Sequence, residues 1–380
     1  MDHPSPADFR RNFPALSDTV HLASCSQGAL SDQLSGELFE FQHTIREYGA
    51  PWDLWMGKVE QARTMFAGLI GAATEEIAVV PSASAGAYQV ASTQDWAARP
   101  GLVTTDLEFP SVAHVWLAQG DRGTLVSYAQ EHDGQVGVED YVAAIDSSTA
   151  LVSVPLVSYR NGYRFEVEDV AAEAHRRGAK VFVDAYQGLG VEPVDVADLD
   201  CDYLVCGALK YLLGVSGIAF LYVRGGLEDP VDPPATGWFG RRDPFEFNPR
   251  NLDYPADARR FEAGTPSIPS AYGAVAGLRL LSNLDAKAVR AYVSELTGHL
   301  GRELVAAGES LASPTADVRR GPQVALRDPD PDALGAYLKQ RRIVCSPRGD
   351  VLRLSFHYYN DTSDVEAALA AIADYRRARR

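Results

Sequence analysis

The chain has 380 residues, of which 46% are hydrophobic and 23% are charged, so it is long enough for two domains with a sizeable core. Its formal net charge of −16 argues against nucleic acid and against an anionic membrane surface as partners. It shows no signal-peptide core, no apolar run of membrane-spanning length and no cysteine–histidine cluster with zinc spacing. With only four cysteines, we expect a cytoplasmic protein without a bound metal.

The first two thirds of the chain read as helices followed by alternating strands and helices. Residues 32–70 have apolar residues at helical spacing, with an interruption at "YGAPWDLW". Further on, seven β-rich runs predict strands: "IAVVP", "GLVTTD", "TLVSYA", "ALVSVPLVS", "KVFVDAY", "DYLVCGA" and "GIAFLYV". Because helical segments separate several of these runs, we predict an α/β fold with a mostly parallel seven-stranded sheet covered on both faces.

The character of the chain changes after the last of these strands. Residues 227–258 are rich in proline and aspartate and predict a long irregular excursion. Helical segments, short strands and a last helix follow it. We therefore predict a large domain over residues 20–262 and a smaller α+β domain that combines residues 1–19 with residues 263–380.

A lysine and an aspartate follow two successive predicted strands. Asp184 ends the run "KVFVD", and Lys210 follows "DYLVCGAL". Ligands of such sheets bind beyond the strand ends, and a buried ammonium is costly unless it is paired or neutralised. The pair suits pyridoxal 5′-phosphate, because a lysine forms a Schiff base with its aldehyde and a carboxylate keeps its ring nitrogen protonated. The alternative that spacing alone leaves open is a structural Lys–Asp salt bridge.

Two further segments match the needs of such a cofactor. In "VVPSASAGAYQVAS", a strand, a turn of small residues and a helix N-terminus predict an anion site made of backbone N–H groups and the hydroxyls of Ser82 and Ser84. In "TTDLEFPSVAHVW", Phe109 follows the next strand and is a candidate to stack on a planar ring. The alternatives are a turn without a ligand and a phenylalanine of the core.

The combined pattern resembles the class V aminotransferase family, whose members have the fold-type-I pyridoxal phosphate fold. The family includes cysteine desulfurases, selenocysteine lyases, isopenicillin N epimerases and kynureninase-like enzymes. The resemblance covers nearly the whole chain, and it rests on segments in the family's order: "IAVVPSASAGAYQVAS", "VSYRNGYRFEVEDV", "VFVDAYQGLGVEPVDVADLDCDYLVCGALKYLLGVSGIAFLYVR", "RRFEAGTPSIPS" and "RLSFHYYNDTSDVEAAL".

The resemblance implies roles for the cofactor-binding residues. Lys210 is the catalytic Schiff-base lysine, Asp184 pairs with the pyridine nitrogen, and Gln187 reaches the phenolic oxygen of the ring. The phosphate is held by the N–H of Ala83 and by Ser84, with Ser82 beside them. Phe109 lies next to the family's ring-stacking position, and Tyr159 replaces an asparagine that commonly approaches the ring.

The resemblance also implies how substrate and a second subunit are engaged. Arg353 matches the arginine that grips the substrate's α-carboxylate, a task that suits its planar fork. Thr265 matches a residue that reaches the phosphate of the neighbouring subunit, which implies a homodimer with shared active sites. Ser24 and Gln27 fall where the family's N-terminal segment lines the substrate pocket, although an ordered strand and turn is the alternative.

Two departures from the family bear on the reaction. Leu209 stands where desulfurases carry a histidine, and Cys345 belongs to an apolar run rather than to a mobile loop, which disfavours a desulfurase. We expect transamination, or C–S bond cleavage by β-elimination, of a small or S-conjugated amino acid. The alternatives are an epimerase, a desulfurase and, from a different class, a catalytically inactive scaffold dimer.

Overall fold

The computed structural model describes residues 3–227 and 231–379. These residues form twelve α-helices: α1 Pro6–Arg10, α2 Asp32–Tyr48, α3 Trp52–Leu69, α4 Ala83–Ser92, α5 Pro110–Leu117, α6 Val138–Ala144, α7 Val167–Arg176, α8 Val196–Leu199, α9 Ile268–Leu281, α10 Ala286–Ala306, α11 Pro331–Gln340 and α12 Thr362–Ala378. They also form twelve strands: β1 Val20–His21, β2 Ile77–Val80, β3 Gly101–Thr105, β4 Leu125–Ala129, β5 Thr149–Pro155, β6 Lys180–Asp184, β7 Tyr203–Gly207, β8 Ala219–Val223, β9 Gln323–Arg327, β10 Ile343–Val344, β11 Ser346–Arg348 and β12 Val351–Ser355.

The central element is a seven-stranded sheet with the order β2-β8-β7-β6-β5-β3-β4. Strand β8 runs antiparallel to both of its neighbours, and the other pairings are parallel. Its strands coincide with the seven predicted runs, so the predicted mostly parallel sheet is confirmed. The parallel strands bring their carboxyl ends to one edge, where β6 ends at Asp184 and β7 ends at Gly207.

The sheet is buried because its central strands are apolar on both faces. On β6 and β7, alternate residues belong to two different hydrophobic clusters, with Val181, Val183 and Leu204 in one and Phe182 and Val205 in the other. Successive side chains of a strand point to opposite faces, so each cluster covers one side of the sheet. Helices on both faces are required to bury such strands, and they fix the edge at which polar groups are exposed.

A second, three-stranded antiparallel sheet has the order β11-β12-β9 and packs with α10 and α11, and α12 packs against these two helices. The N-terminal segment lies against this part of the chain, because β1 pairs in parallel with β10 and Arg10 forms an ion pair with Asp364. Helix α9 packs with α2 and α3. The division into residues 20–262 and residues 1–19 with 263–380 stays a prediction, with α9 as the helix that packs across it.

The irregular excursion contains a cluster of aromatic rings. Of residues 227–258, positions 228–230 lie outside the described residues. In the remainder, Trp238 contacts Phe245 and Phe247, and it meets Trp52 at the start of α3 edge to face at 5.9 Å. The excursion is therefore attached to the helical layer. Over the described ranges, no helix combines the length and the hydropathy that crossing a membrane requires.

Candidate active site

Lys210 lies three residues beyond the end of β7 and is buried, with 8% of its surface exposed. Within the described chain, its Nζ atom makes no hydrogen bond and no ion pair. That atom lies 5.2 Å from the centre of the Phe109 ring and 4.1 Å from the centre of the Tyr186 ring. Burial lowers the pKa of Lys210, although the nearby Asp184 opposes this effect. The structure thus holds a buried amine whose pKa is shifted in the direction of the neutral, nucleophilic form.

Asp184 is the carboxylate whose charge raises the pKa of this amine, but the two groups do not form an ion pair. No ion pair within 4.0 Å joins them in the described part of the chain. Burial raises the pKa of Asp184, while the Tyr186 backbone N–H, which donates to Oδ1 at 2.9 Å, and the charge of Lys210 lower it. The structural salt bridge left open by the spacing is therefore not formed, and both groups remain available to a ligand.

Gln187 contributes an unsatisfied polar atom to the same edge of the sheet. Its Nε2 atom donates to the backbone oxygen of Cys25 at 3.2 Å. Its Oε1 atom is buried and has no hydrogen-bond partner in the part of the chain that the structure describes. An orphaned buried acceptor is costly unless a ligand or water completes it. A polar substituent on a bound ring is such a partner.

The start of α4 offers the predicted anion site. Ser82 is the N-cap, and its hydroxyl oxygen accepts from the N–H of Ala85 at 3.1 Å. The N–H groups of Ala83 and Ser84 belong to the first turn, where a helix has no internal acceptor for them. A Cβ added at Gly86 would press on a side chain of β7, so the helix begins close above that strand. The positive end of α4 and Lys210 therefore share one region.

Phe109 and Tyr159 form an aromatic corner beside the amine. Phe109 precedes α5, Tyr159 follows β5, and their rings meet edge to face at 5.0 Å. Tyr159 is only partly buried, which leaves its ring accessible from the site. Phe109 faces Lys210 rather than the core alone, as its predicted stacking role requires.

Arg353 projects from β12 and is 1% exposed. Its Nη1 atom donates to the backbone oxygen of Tyr159 at 2.9 Å, its Nη2 atom to Ser346 Oγ at 2.6 Å and its Nε atom to the Ser346 backbone oxygen at 3.2 Å. A guanidinium carries five N–H donors, so these bonds orient the group and leave two donors over. Arg353 is linked to the aromatic corner, because it donates to the backbone oxygen of Tyr159, whose ring contacts Phe109.

Three further predicted residues have surroundings of their own. Ser24 is fully buried, and its hydroxyl is hydrogen-bonded to that of Tyr359 at 2.7 Å. Gln27 is exposed and lines a separate cavity of about 330 Å³. Thr265 is exposed and lines a cavity of about 370 Å³ next to the start of α4. Contact of Ser24 and Gln27 with substrate, and of Thr265 with a phosphate, stays a prediction.

Two residues that the sequence analysis passed over belong to the site. Glu108 is buried, accepts from the N–H of Phe109 at 2.8 Å and accepts from Ser153 Oγ at 3.0 Å. Burial, reinforced by the charge of Asp184, raises the pKa of Glu108 to about 8. Tyr186 faces the lysine. Both stood beside a residue already selected, so adjacency in the sequence was the available signal.

This arrangement of an unpaired lysine, a buried aspartate and a helix N-terminus at the carboxyl edge of a parallel sheet defines a pyridoxal 5′-phosphate enzyme of fold type I. The apo cysteine desulfurase from Thermococcus onnurineus NA1 has the same fold, with a TM-score of 0.88, 24% identity, and coverage of 100% of this chain and 99% of that one. The family model for Aminotransferase class-V matches residues 44–368. The chain belongs to this family.

Two curated relatives are similar over most of their length. The chain is 38% identical over 373 residues to "Uncharacterized aminotransferase YcbU" of Bacillus subtilis, and the matched region covers 98% of each chain. It is 26% identical over 367 residues to the kynureninase of Geobacillus thermodenitrificans, with 91% of this chain and 86% of that protein covered. These relatives support an enzyme that acts on amino acids with pyridoxal 5′-phosphate, and they differ in the reaction that their names state.

The residues present fit this cofactor. Within residues 3–227 and 231–379, three kinds of polar group have no hydrogen-bonding partner: Gln187 Oε1, the Lys210 amine and the first N–H groups of α4. A phosphate ester that carries an aldehyde and a polar ring substituent supplies a partner for each of them. When bound, the cofactor supplies an aldehyde that takes up an amino group and a protonated ring that stores the electron pair released at the substrate's Cα. Asp184 is the carboxylate available to keep the ring nitrogen protonated.

Proposed function

We propose that the protein is an aminotransferase that moves the amino group of a small α-amino acid to a keto acid. The observation that carries this proposal is the environment of Lys210, whose amine is buried, unpaired and biased toward its neutral form. Transamination needs one base that takes a proton from the substrate's Cα, and with the cofactor bound the same base would deliver a proton to the carbon of the former aldehyde and not back to Cα. Leu209, at the adjoining position, supplies no second acid or base.

The neighbouring residues divide the remaining tasks. Lys210 takes the Cα proton and holds it at Nζ, and Arg353 orients the substrate by its carboxylate. Asp184 and Gln187 hold the ring of the cofactor, Phe109 and Tyr159 border it, and Ser82, Ala83 and Ser84 hold its phosphate. Support for these assignments comes from the contacts that place Lys210 against Phe109 and leave Gln187 Oε1 unpaired.

A persulfide-forming desulfurase is disfavoured by the state of the candidate thiol. Such chemistry needs a thiolate that reaches the substrate. Cys345 is partly buried, and burial raises the pKa of its thiol to about 12. It also lines the cavity of Gln27 rather than the surroundings of Lys210. The thiol is therefore protonated near neutral pH and directed elsewhere.

The test is a product analysis of the purified enzyme with a panel of α-amino acids and S-conjugated cysteines, each offered with a keto acid acceptor. We expect a keto acid from the donor together with an equal amount of aminated acceptor. The exposed-lysine variant Lys287→Ala serves as the matched control for Lys210→Ala. Pyruvate and free thiol without an aminated acceptor would instead establish β-elimination, and a change of optical rotation alone would establish an epimerase.

We also propose that the enzyme is a homodimer with shared active sites. Several large apolar side chains are exposed on and beside α2 and α3, namely Phe39, Tyr48 and Leu54. The cavity of about 370 Å³ that holds Thr265 opens beside α4 next to the exposed Tyr88. A second copy that covers these surfaces brings its own Thr265 toward the partner's anion site. Light scattering that gives the mass of one chain, 41.2 kDa, would refute this assembly.

A cytoplasmic location is the accompanying proposal. All four cysteines are free, and three of them are buried. Unpaired buried thiols are compatible with a reducing compartment. Cell fractionation that recovers the protein outside the cytoplasm would contradict it.

A further inference from the structure

A second aromatic ring faces the lysine from a different direction than Phe109. The Tyr186 ring centre lies 4.1 Å from Lys210 Nζ, closer than the 5.2 Å of Phe109. Tyr186 follows β6, whereas Phe109 follows β3, and β5 lies between these two strands in the sheet. The amine is thus flanked by rings that enter from two parts of the sheet edge.

The chain direction aims Tyr186 at the site. The ladder of β6 continues past Asp184, because the N–H of Ala185 donates to the backbone oxygen of Val205 at 2.9 Å. Ala185 is completely buried in the core. Tyr186 lies in the turn that follows β6, and its N–H donates to Asp184 Oδ1 at 2.9 Å, so the turn holds its backbone beside the aspartate at the strand end. Tyr186 is only partly buried among these buried neighbours, so part of its surface faces open space at the site.

Gly207, the last residue of β7, leaves the room that this ring occupies. A Cβ added at Gly207 would overlap the ring of Tyr186 and would lie 2.5 Å from its hydroxyl oxygen. Its backbone is ordinary strand, paired with Ala219, and its φ is not positive. The glycine is therefore not needed for backbone conformation. The absence of a side chain serves the placement of Tyr186.

We propose that Tyr186 and Gly207 are a matched pair that builds the second aromatic wall of the cofactor site, with Phe109 as the first. The ring of Tyr186 offers a flat face to a planar bound ring. Gly207 permits this position of the ring, because it has no side chain in the space that the ring occupies. This inference rests on the proposed function, because it assumes that the cofactor binds at Lys210. It adds a positioning role for two residues that has no counterpart in the predicted site.

The test is a titration of cofactor-free protein with pyridoxal 5′-phosphate, followed by visible absorbance and by circular dichroism of the bound cofactor. We expect Tyr186→Ala to weaken binding about tenfold and to reduce the visible circular dichroism, since one ring contact is lost. We expect Tyr186→Phe to stay within about twofold of the wild type, because the ring is kept. Gly207→Ala is expected to match Tyr186→Ala, because its methyl group displaces the ring.

The double variant Gly207→Ala with Tyr186→Ala decides whether the two residues act together. We expect it to bind no more weakly than Tyr186→Ala alone, because the added methyl then meets no ring. Additive losses would overturn the matched pair. Binding by Tyr186→Ala at the wild-type level, or a loss in Tyr186→Phe equal to that in Tyr186→Ala, would overturn the aromatic wall.

Two controls separate this inference from the proposed function. Gly68→Ala adds the same methyl group where nothing lies within 4 Å, and it is expected to leave binding unchanged. Thermal unfolding of the cofactor-free variants checks that each is folded. If the wild type takes up no cofactor, the proposed function fails; if it binds normally and the Tyr186 variants do too, only the second wall fails.

Discussion

Two of the buried charged groups in the described chain, Arg63 and Lys210, differ in how completely their polar atoms are paired. Arg63 on α3 is 1% exposed, and it donates to the backbone oxygen of Ile77 at 2.7 Å and to Glu262 Oε1 at 2.5 Å. Its Nε and Nη2 atoms donate to Glu60. Glu262 also accepts from the N–H of Val79 at 2.9 Å. Lys210 is also buried, with 8% of its surface exposed, and its amine has no such partner among the described residues.

The difference separates a charge that stabilises the fold from one kept for chemistry. Burial lowers the pKa of Arg63, but the charges of Glu262 and Glu60 outweigh this effect and raise it, so the ion is held firmly. For Lys210 the balance goes the other way, because the effect of burial on its pKa outweighs that of the Asp184 charge. Buried charges are costly unless they are paired. A buried lysine without an ion pair is tolerated where its amine forms a covalent bond with a bound cofactor.

The largest expected effect comes from removing the unpaired amine of Lys210. We expect Lys210→Ala to lower kcat/KM by about 10³-fold or more, since the base that moves the Cα proton is lost. We expect its free energy of unfolding to change by less than about 1 kcal/mol, because no ion pair is broken. Steady-state kinetics and urea unfolding measure both effects. A loss of several kcal/mol would reveal a structural role and contradict the contrast.

Removing the paired charge of Arg63 should instead lower the stability of the fold. We expect Arg63→Ala to lower the free energy of unfolding by about 3–5 kcal/mol, because it leaves the Glu262 carboxylate buried and unpaired. The exposed ion pair of Arg327 with Asp350 provides the matched control, and Arg327→Ala is expected to cost at most about 1 kcal/mol. Equal destabilisation by the two variants in urea unfolding would show that burial of the pair does not matter.

Arg353 sharpens the comparison because it is both paired and proposed to bind substrate. We expect Arg353→Lys to raise KM for the amino donor by about 10- to 100-fold, because the forked contact with a carboxylate is lost. Ser346→Ala removes one acceptor of the same guanidinium and keeps the fork, so its effect on KM should be smaller. An unchanged KM for Arg353→Lys, measured with the donor identified by product analysis, would move carboxylate binding elsewhere.

The effect of burial on an unpaired charge can also be tested at Glu108, through the pH dependence of the free energy of unfolding. Its pKa in the folded protein is raised to about 8 from the ordinary value near 4.5, so the folded state keeps a proton that the unfolded state releases in this range. The free energy of unfolding should therefore fall as pH rises from about 5 to 8. Glu108→Gln keeps an acceptor for the Phe109 N–H and removes the proton, so its profile should be flatter. Parallel profiles would contradict the assignment.

The smallest expected effect lies at the opposite edge of the sheet. His175 is bonded to Asp202 at 2.8 Å and to Asp200 at 3.1 Å, and the Asp202 bond is the main cause of its raised pKa. A raised histidine pKa gives stability that is present below pH about 6.5 and is lost as pH rises through the folded-state value. We expect His175→Gln to cost about 0.5 kcal/mol at pH 6 and less at pH 9, because the pair is partly exposed. A larger cost at pH 9 would contradict this sign.

The local patterns of the sequence were sufficient to predict the strands of the central sheet and to select the lysine and the aspartate at its edge. Strand length and β-rich composition located β2 to β8, and strand-end position selected Asp184 and Lys210. Pairings between distant segments were not accessible in the same way. The overlap of Tyr186 with the space above Gly207 and the bond from Ser24 to Tyr359 depend on how remote parts of the chain meet. Neither leaves a periodicity or a motif in the sequence.

The most direct test of the central claim is to reduce the cofactor-loaded enzyme with borohydride, digest it and map the modified residue by mass spectrometry. We expect the visible colour to bleach and the added mass of the cofactor to lie on Lys210, in the peptide that contains "CGALKYLLG". Attachment to any other lysine, or no covalent attachment in a protein that binds the cofactor, would contradict the account.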